Sequence, residues 1–240
     1  MSDTKRSRIE LIDTWRGLAV FLMVIHHFFY DLCAFAGAPW WLFTNPVFDF
    51  LHYVFAGSFI FLAGVSSRFS RSNLKRGAIC FGIAMVMTVV TTVMDMPIRF
   101  GVLHLLGVCM LFYGACGKAL DSLIPHPFQP VIYAILGIIS VFLLRIDVGE
   151  AAHFLFPFGW TYPGFSSSDW FPLFPWAFVF LAGAGVGYYI AERRFPGWFY
   201  EWRGVPALSW LGKRALIVYV IHQPVLYGVT MGLIAIRGLF

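Results

Sequence analysis

Seven long apolar stretches alternate along the chain with short groups of charged, glycine and proline residues. They lie near residues 14–36, 47–67, 76–94, 98–117, 129–146, 171–191 and 212–236. A helix needs about 20 apolar residues to cross a hydrocarbon layer of about 30 Å. The pattern therefore predicts an all-α membrane protein, with about seven transmembrane helices in one bundle and a single domain over residues 1–240. The first stretch is followed by "AFAGA", which has the look of a signal cleavage site. It is too long for a signal h-region and carries ionisable groups, and six more spans follow, so it reads as a span. Two connections stand out. Residues 147–170 are rich in aromatics and broken by Pro157, Gly159, Pro163 and Gly164. Residues 192–211 set Trp198, Tyr200 and Trp202 among arginines, as an interfacial segment does.

Polar positions inside the spans are expensive and so informative. The first span, "RGLAVFLMVIHHFFYDL", carries Arg16, His26, His27 and Asp31. On a helix at 100° per residue, Asp13, Arg16, His27 and Asp31 share an arc of about 60°, while His26 points about 100° away from His27. His27 lies about 16 Å beyond Arg16, near mid-membrane. The fourth span, "IRFGVLHLLG", enters at Arg99 and places His104 about 8 Å deeper. The last, "LGKRALIVYVIHQPVLYG", raises His222 about 13 Å above Lys213, with Tyr219 one turn below and Pro224 freeing the carbonyl of Val220. The sixth opens with "DWFPLFPW", setting Asp169 at its end. The expectation is that His27, His104 and His222 converge from three helices.

Composition agrees with the spans. The chain is 60% hydrophobic and 12% charged, with a mean hydropathy of +0.77, against about 25% charged for a soluble domain. Its net charge of +5 is set by membrane orientation and is no signal for nucleic acid. With a cytoplasmic N-terminus, the inner side holds Lys5, Arg6, Arg8 and Arg16, then Arg68, Arg71, Lys75 and Arg76. Lys118, Arg193, Arg194, Arg203, Lys213 and Arg214 follow, making fourteen of the seventeen Lys and Arg; Arg99, Arg145 and Arg237 fall outside. The four cysteines lie in or beside apolar runs without a CxxC pair and read as buried apolar residues.

The four motifs "RGLAVFLMVIHHFFYDL", "IRFGVLHLLG", "SDWFPLFPW" and "LGKRALIVYVIHQPVLY", in order from about residue 8 to 230, resemble the bacterial membrane proteins that carry the catalytic domain of heparan-alpha-glucosaminide N-acetyltransferase. "FLAGVSS" fits that family's small-residue turn. The spacing of Arg16 and His27 is also similar to the Arg–x10–His pattern of the wider acyltransferase-3 proteins. The resemblance implies transfer of an acetyl or other acyl group from cytosolic acyl-CoA to an amine or hydroxyl acceptor, such as a glycan, on the far side. The setting would be a bacterial inner membrane. The lysosomal members have no histidine at the position of His27, so its role follows the wider superfamily.

These readings assign roles as follows. His27, its tautomer fixed by Asp31, is the base, a function suited to a histidine near neutrality, and the residues do not select direct transfer over a covalent acyl-histidine intermediate. His222 and His104 complete the catalytic group; Tyr219, Arg99 and Asp169 serve the oxyanion or the acceptor. Arg16 and Arg214, the cations closest to the histidine stripe, contact the phosphate or pantetheine of acetyl-CoA. No metal is needed, and a homodimer is compatible with the reading. Two alternatives stay open: a proton-coupled transporter that uses the buried histidines as a relay, and a structural membrane subunit.

Overall fold

The structure, a computed structural model, describes residues 8–237. Its helices are α1 (Glu10–Phe35), α2 (Pro46–Ser67), α3 (Asn73–Val93), α4 (Val102–Leu123) and α5 (Gln129–Leu143). The short α6 (Ala152–Leu155), α7 (Leu173–Ala191), α8 (Gly197–Glu201), α9 (Pro206–Lys213) and α10 (Ala215–Arg237) complete the order. Among the described residues there is no named strand, only one isolated bridge between Phe100 and Trp170. Six helices are long and apolar enough to cross a membrane, and α5 is a shorter apolar helix of 15 residues. The chain is an all-α, multi-pass membrane protein. Lys5 and Arg6 of the amino-terminal cation cluster lie outside the described residues.

The chain clusters into two compact units: residues 60–194, and the two ends, up to residue 59 and from 195 on. In the central unit, glycines set the helix spacing. A Cβ on Gly64 would lie 1.9 Å from the carbonyl oxygen of Phe180, and one on Gly183 would lie 2.1 Å from that of Phe61. The backbones of α2 and α7 touch there, the close approach that small residues permit between membrane helices. Since Phe61 faces Gly183 and Val65 faces Gly187, the two helices run parallel. Gly77 and Gly107 bring α3 against α4 in antiparallel fashion.

α5 runs back along α7: its Gln129 meets Gly185, and its Gly137 meets Phe178. Beyond α5, Ile146 accepts a hydrogen bond from Trp160 at 3.0 Å, and Leu173 at the start of α7 is bonded to Pro157 at 2.8 Å. α5 therefore joins one end of the unit to the other despite its length of about 22 Å, with the turn over 144–146 adding reach. This alternation supports a seventh crossing.

Two predicted spans begin later than their hydropathy suggests. Residues 98–100 are extended rather than helical, because Phe100 bridges to Trp170 and its carbonyl takes the N–H of Phe171 at 2.8 Å. The fourth and sixth spans accordingly start at Val102 and Leu173 instead of 98 and 171. The last predicted span is divided at Arg214, whose dihedrals (φ −115°, ψ 15°) leave the helical region and separate α9 from α10.

In the terminal unit α9 crosses the start of α1. Cβ atoms on Gly17 and Gly212 would lie 1.8 Å from the carbonyl oxygen of Leu208 and 1.9 Å from that of Asp13. The N–H of Val205 bonds Thr14 Oγ1 at 3.2 Å, Ser209 donates to Glu10, and Lys213 pairs with Glu10 at 2.6 Å. Farther along, α10 runs parallel to α1, pairing His222 with His27, Gln223 with Asp31 and Tyr227 with Phe35.

Candidate active site

The terminal unit holds a line of four histidine rings. His222 and His27 have centroids 4.8 Å apart, His27 and His26 5.7 Å, and His26 and His52 4.4 Å. His222 Nδ1 lies 2.7 Å from the carbonyl oxygen of Tyr219. A carbonyl only accepts, so Nδ1 carries the proton in the neutral ring, and Nε2 presents a lone pair. Nε2 is buried without a hydrogen-bond partner, which is the state of a base ready for a proton.

Asp31 is fully buried. Its Oδ1 accepts a hydrogen bond from Gln223 Nε2 at 2.7 Å, while Oδ2 and Gln223 Oε1 are buried without partners. The expectation that Asp31 fixes the tautomer of His27 is not what the side chains do. The amide of Gln223 brings its donor from the facing helix and takes the carboxylate, so Asp31 sets the register of α10 on α1, and the tautomer-fixing group belongs to His222. His26, which the helical wheel sets apart from the polar stripe, is buried and stacks on Phe48 at 5.2 Å. His52 and Gln223 complete the group; neither has a place in the sequence-based assignment. His52 carries a readable signal: it lies six residues into α2, roughly 9 Å from that helix's start. His26 lies nine residues from the end of α1, a comparable depth for an antiparallel neighbour.

At the start of α1, Asp13 is buried and receives Arg16 Nη1 at 2.8 Å and Arg8 Nε at 2.7 Å. Arg16 is thus anchored by a carboxylate one turn away. Arg214 is exposed, with its guanidinium 4.4 Å from the ring centroid of Trp210.

His104, Arg99 and Asp169 belong to the central unit. His104 stands in the first turn of α4 because that helix begins at Val102, so it is not a mid-span residue. Both its nitrogens serve the fold. Nδ1 accepts the N–H of Gly101 at 3.2 Å, and Nε2 faces Thr88 Oγ1 at 3.1 Å, whose own proton goes to the carbonyl of Ile98. Asp169 Oδ2 accepts the N–H of Val102 at 3.0 Å, capping α4 with a negative charge where the helix dipole favours one. Arg99 donates to Tyr162 and lies 5.7 Å from the ring of Phe165. With Ser168 bonded to Pro97 and Met96, these contacts pin the aromatic 147–170 connection to residues 96–101.

The opposite end of the central unit holds a network that the cation pattern hides. Arg68 makes a two-pronged pair with Asp121 (2.6 and 2.7 Å), donates to Gln129 Oε1 at 3.2 Å, and places Nε on the carbonyl of Ala184 at 2.9 Å. Burial opposes its charge, but the hydrogen bond with Asp121 together with the charge interactions of Tyr113, Asp121 and Tyr133 outweighs it and raises the Arg68 pKa. A guanidinium spent in this way holds α2, α4, α5 and α7 together and is not a phosphate ligand. Among the described residues no group of three or more His, Cys, Asp or Glu is arranged to hold a metal ion, and the four cysteines are free thiols.

Residues 8–224 match the family described as heparan-alpha-glucosaminide N-acetyltransferase, catalytic. Neither the curated proteins nor the solved structures gave a match to the chain.

Proposed function

The chain belongs to this family of membrane acetyltransferases, and we propose that it takes an acetyl group from acetyl-CoA on the cytoplasmic side and passes it to an amino or hydroxyl group of a sugar or glycan reached from the other face. One observation carries the assignment of chemistry: the His222–His27 pair, with the tautomer of His222 set by the Tyr219 carbonyl and its Nε2 buried and unpartnered. Acyl transfer to an amine or alcohol needs a base that removes the acceptor's proton as its lone pair attacks the thioester carbonyl. His222 Nε2 takes that proton, and His27 stands against it as the next ring. Asp31 and Gln223 fix the two helices that carry the pair. Arg214 on its Trp210 platform, with Arg16 anchored by Asp13, offers cations toward the phosphates of the donor.

The test uses the purified protein in lipid nanodiscs with radiolabelled acetyl-CoA and glucosamine. The wild type is expected to form N-acetylglucosamine. His222→Phe and His27→Phe should each lower the rate by about 100-fold or more while acetyl-CoA binding, followed by calorimetry, persists. Arg214→Ala should weaken that binding. A folded His27→Phe/His222→Phe protein with full activity would overturn the assignment. Substrate-dependent proton movement in liposomes without CoA would instead favour the transporter.

A further inference from the structure

His26 and His52 have no part in the transfer just described, yet they continue its line of rings. We propose that His27, His26 and His52 form a proton path from His222 to the exposed end of α2; this rests on the acetyl-transfer reading above. The first observation is spacing. Two imidazoles joined in line by an N–H···N bond have centroids about 5 Å apart, and the three steps here are 4.8, 5.7 and 4.4 Å. The rings stand tilted or edge to face, and each step of the path is a rotation about χ2, a broad torsion in histidine, that turns a nitrogen toward the next ring. The second is an unused buried atom: His26 Nδ1 has no hydrogen-bond partner. The rings around it are Phe43 and Phe48, which supply packing and no competing donor. The third is an outlet. Asp49 is exposed and precedes His52 by three residues, on the same face of α2.

The need for such a path follows from the chemistry. When the acceptor attacks the acetyl carbonyl, the new C–N or C–O bond forms and the C–S bond breaks. CoA leaves as a thiolate that takes a proton from the cytoplasmic water, and the acceptor's proton is left on His222. A base buried in a span has to be emptied before the next turnover. His222 hands the proton from Nε2, the nitrogen that received it, to His27, since its Nδ1–H stays on the Tyr219 carbonyl; His27, His26 and His52 then each receive a proton on one nitrogen and release one from the other. It reaches water beside Asp49, and all four rings return to the neutral state.

The experiment is the acetyl-CoA and glucosamine assay in nanodiscs with His26→Phe and His52→Phe, which keep an aromatic ring in place, and His52→Gln as a second removal of the base. The expected result is a fall in kcat of about tenfold or more with KM for glucosamine unchanged and a larger solvent deuterium effect. Imidazole added to the buffer should restore most of the rate in the His52 variants. Full activity in the variants would overturn the path and leave the acetyl-transfer reading standing. A loss that imidazole leaves unchanged, in protein that still binds acetyl-CoA, would also overturn it and assign the rings to packing. A wild type that transfers no acetyl group would overturn the reading and the path with it.

Discussion

Asp31 and Arg68 show how the same requirement, satisfying a polar group inside an apolar bundle, has two different outcomes. Arg68 has its guanidinium spent on Asp121, Gln129 and the Ala184 carbonyl. Removing one partner of this half-buried ion pair leaves the other charge uncompensated. Asp121→Leu should therefore cost about 1–3 kcal/mol of stability, between an exposed and a buried pair, read from thermal unfolding in detergent. The double variant Arg68→Met/Asp121→Leu should recover much of that loss. Asp31 receives one hydrogen bond, from Gln223, and keeps an unpartnered oxygen. Gln223→Leu should destabilise by about 1–3 kcal/mol, and Asp31→Asn in the same background should return part of it, since a neutral amide tolerates the site better than a carboxylate.

At the scale of elements, backbone contact rather than side-chain volume fixes the helix pairs. Gly17→Val and Gly212→Val would drive a side chain into the opposite backbone, where a Cβ alone already meets a carbonyl oxygen at 1.8 or 1.9 Å. Both should abolish folded protein in detergent, scored by a monodisperse elution peak. Gly232→Ala, with nothing within 4 Å of its added Cβ, should elute as the wild type does. This scale also explains what the sequence made legible. Hydropathy located every long helix, because period and length are local properties. It missed the late starts at Val102 and Leu173, since the Phe100–Trp170 bridge joins segments 70 residues apart. The wheel gathered His27 and Asp31 on one face of α1 and left open which facing residue each would meet. A helix counted from residue 98 sets His104 too deep, since α4 begins at Val102. His52 carries no such pattern in its own span, and only the fold shows that its neighbour is His26.

For the whole molecule, the arrangement of α5 decides the topology. If it crosses, the α2–α3 connection and the 147–170 connection lie on opposite faces. Arg71→Cys and Glu150→Cys, both at exposed positions, should react with a membrane-impermeant maleimide from opposite sides of oriented vesicles. Labelling of both from one side would mean that α5 turns back within the bilayer. Opposite labelling would establish α5 as a seventh crossing.

The parallel pairing of α1 with α10 has a consequence in time. The partner of Asp31 is 192 residues farther along the chain. At 5–20 residues per second, roughly ten to forty seconds separate the synthesis of the two. During that interval the nascent first helix carries two histidines and a carboxylate into the lipid without the amide and imidazole that will complete them. A ribosome-stalled chain ending before Gln223 should leave α1 able to slip back toward the aqueous face, so release of the last helix is the event that commits the first to the bilayer.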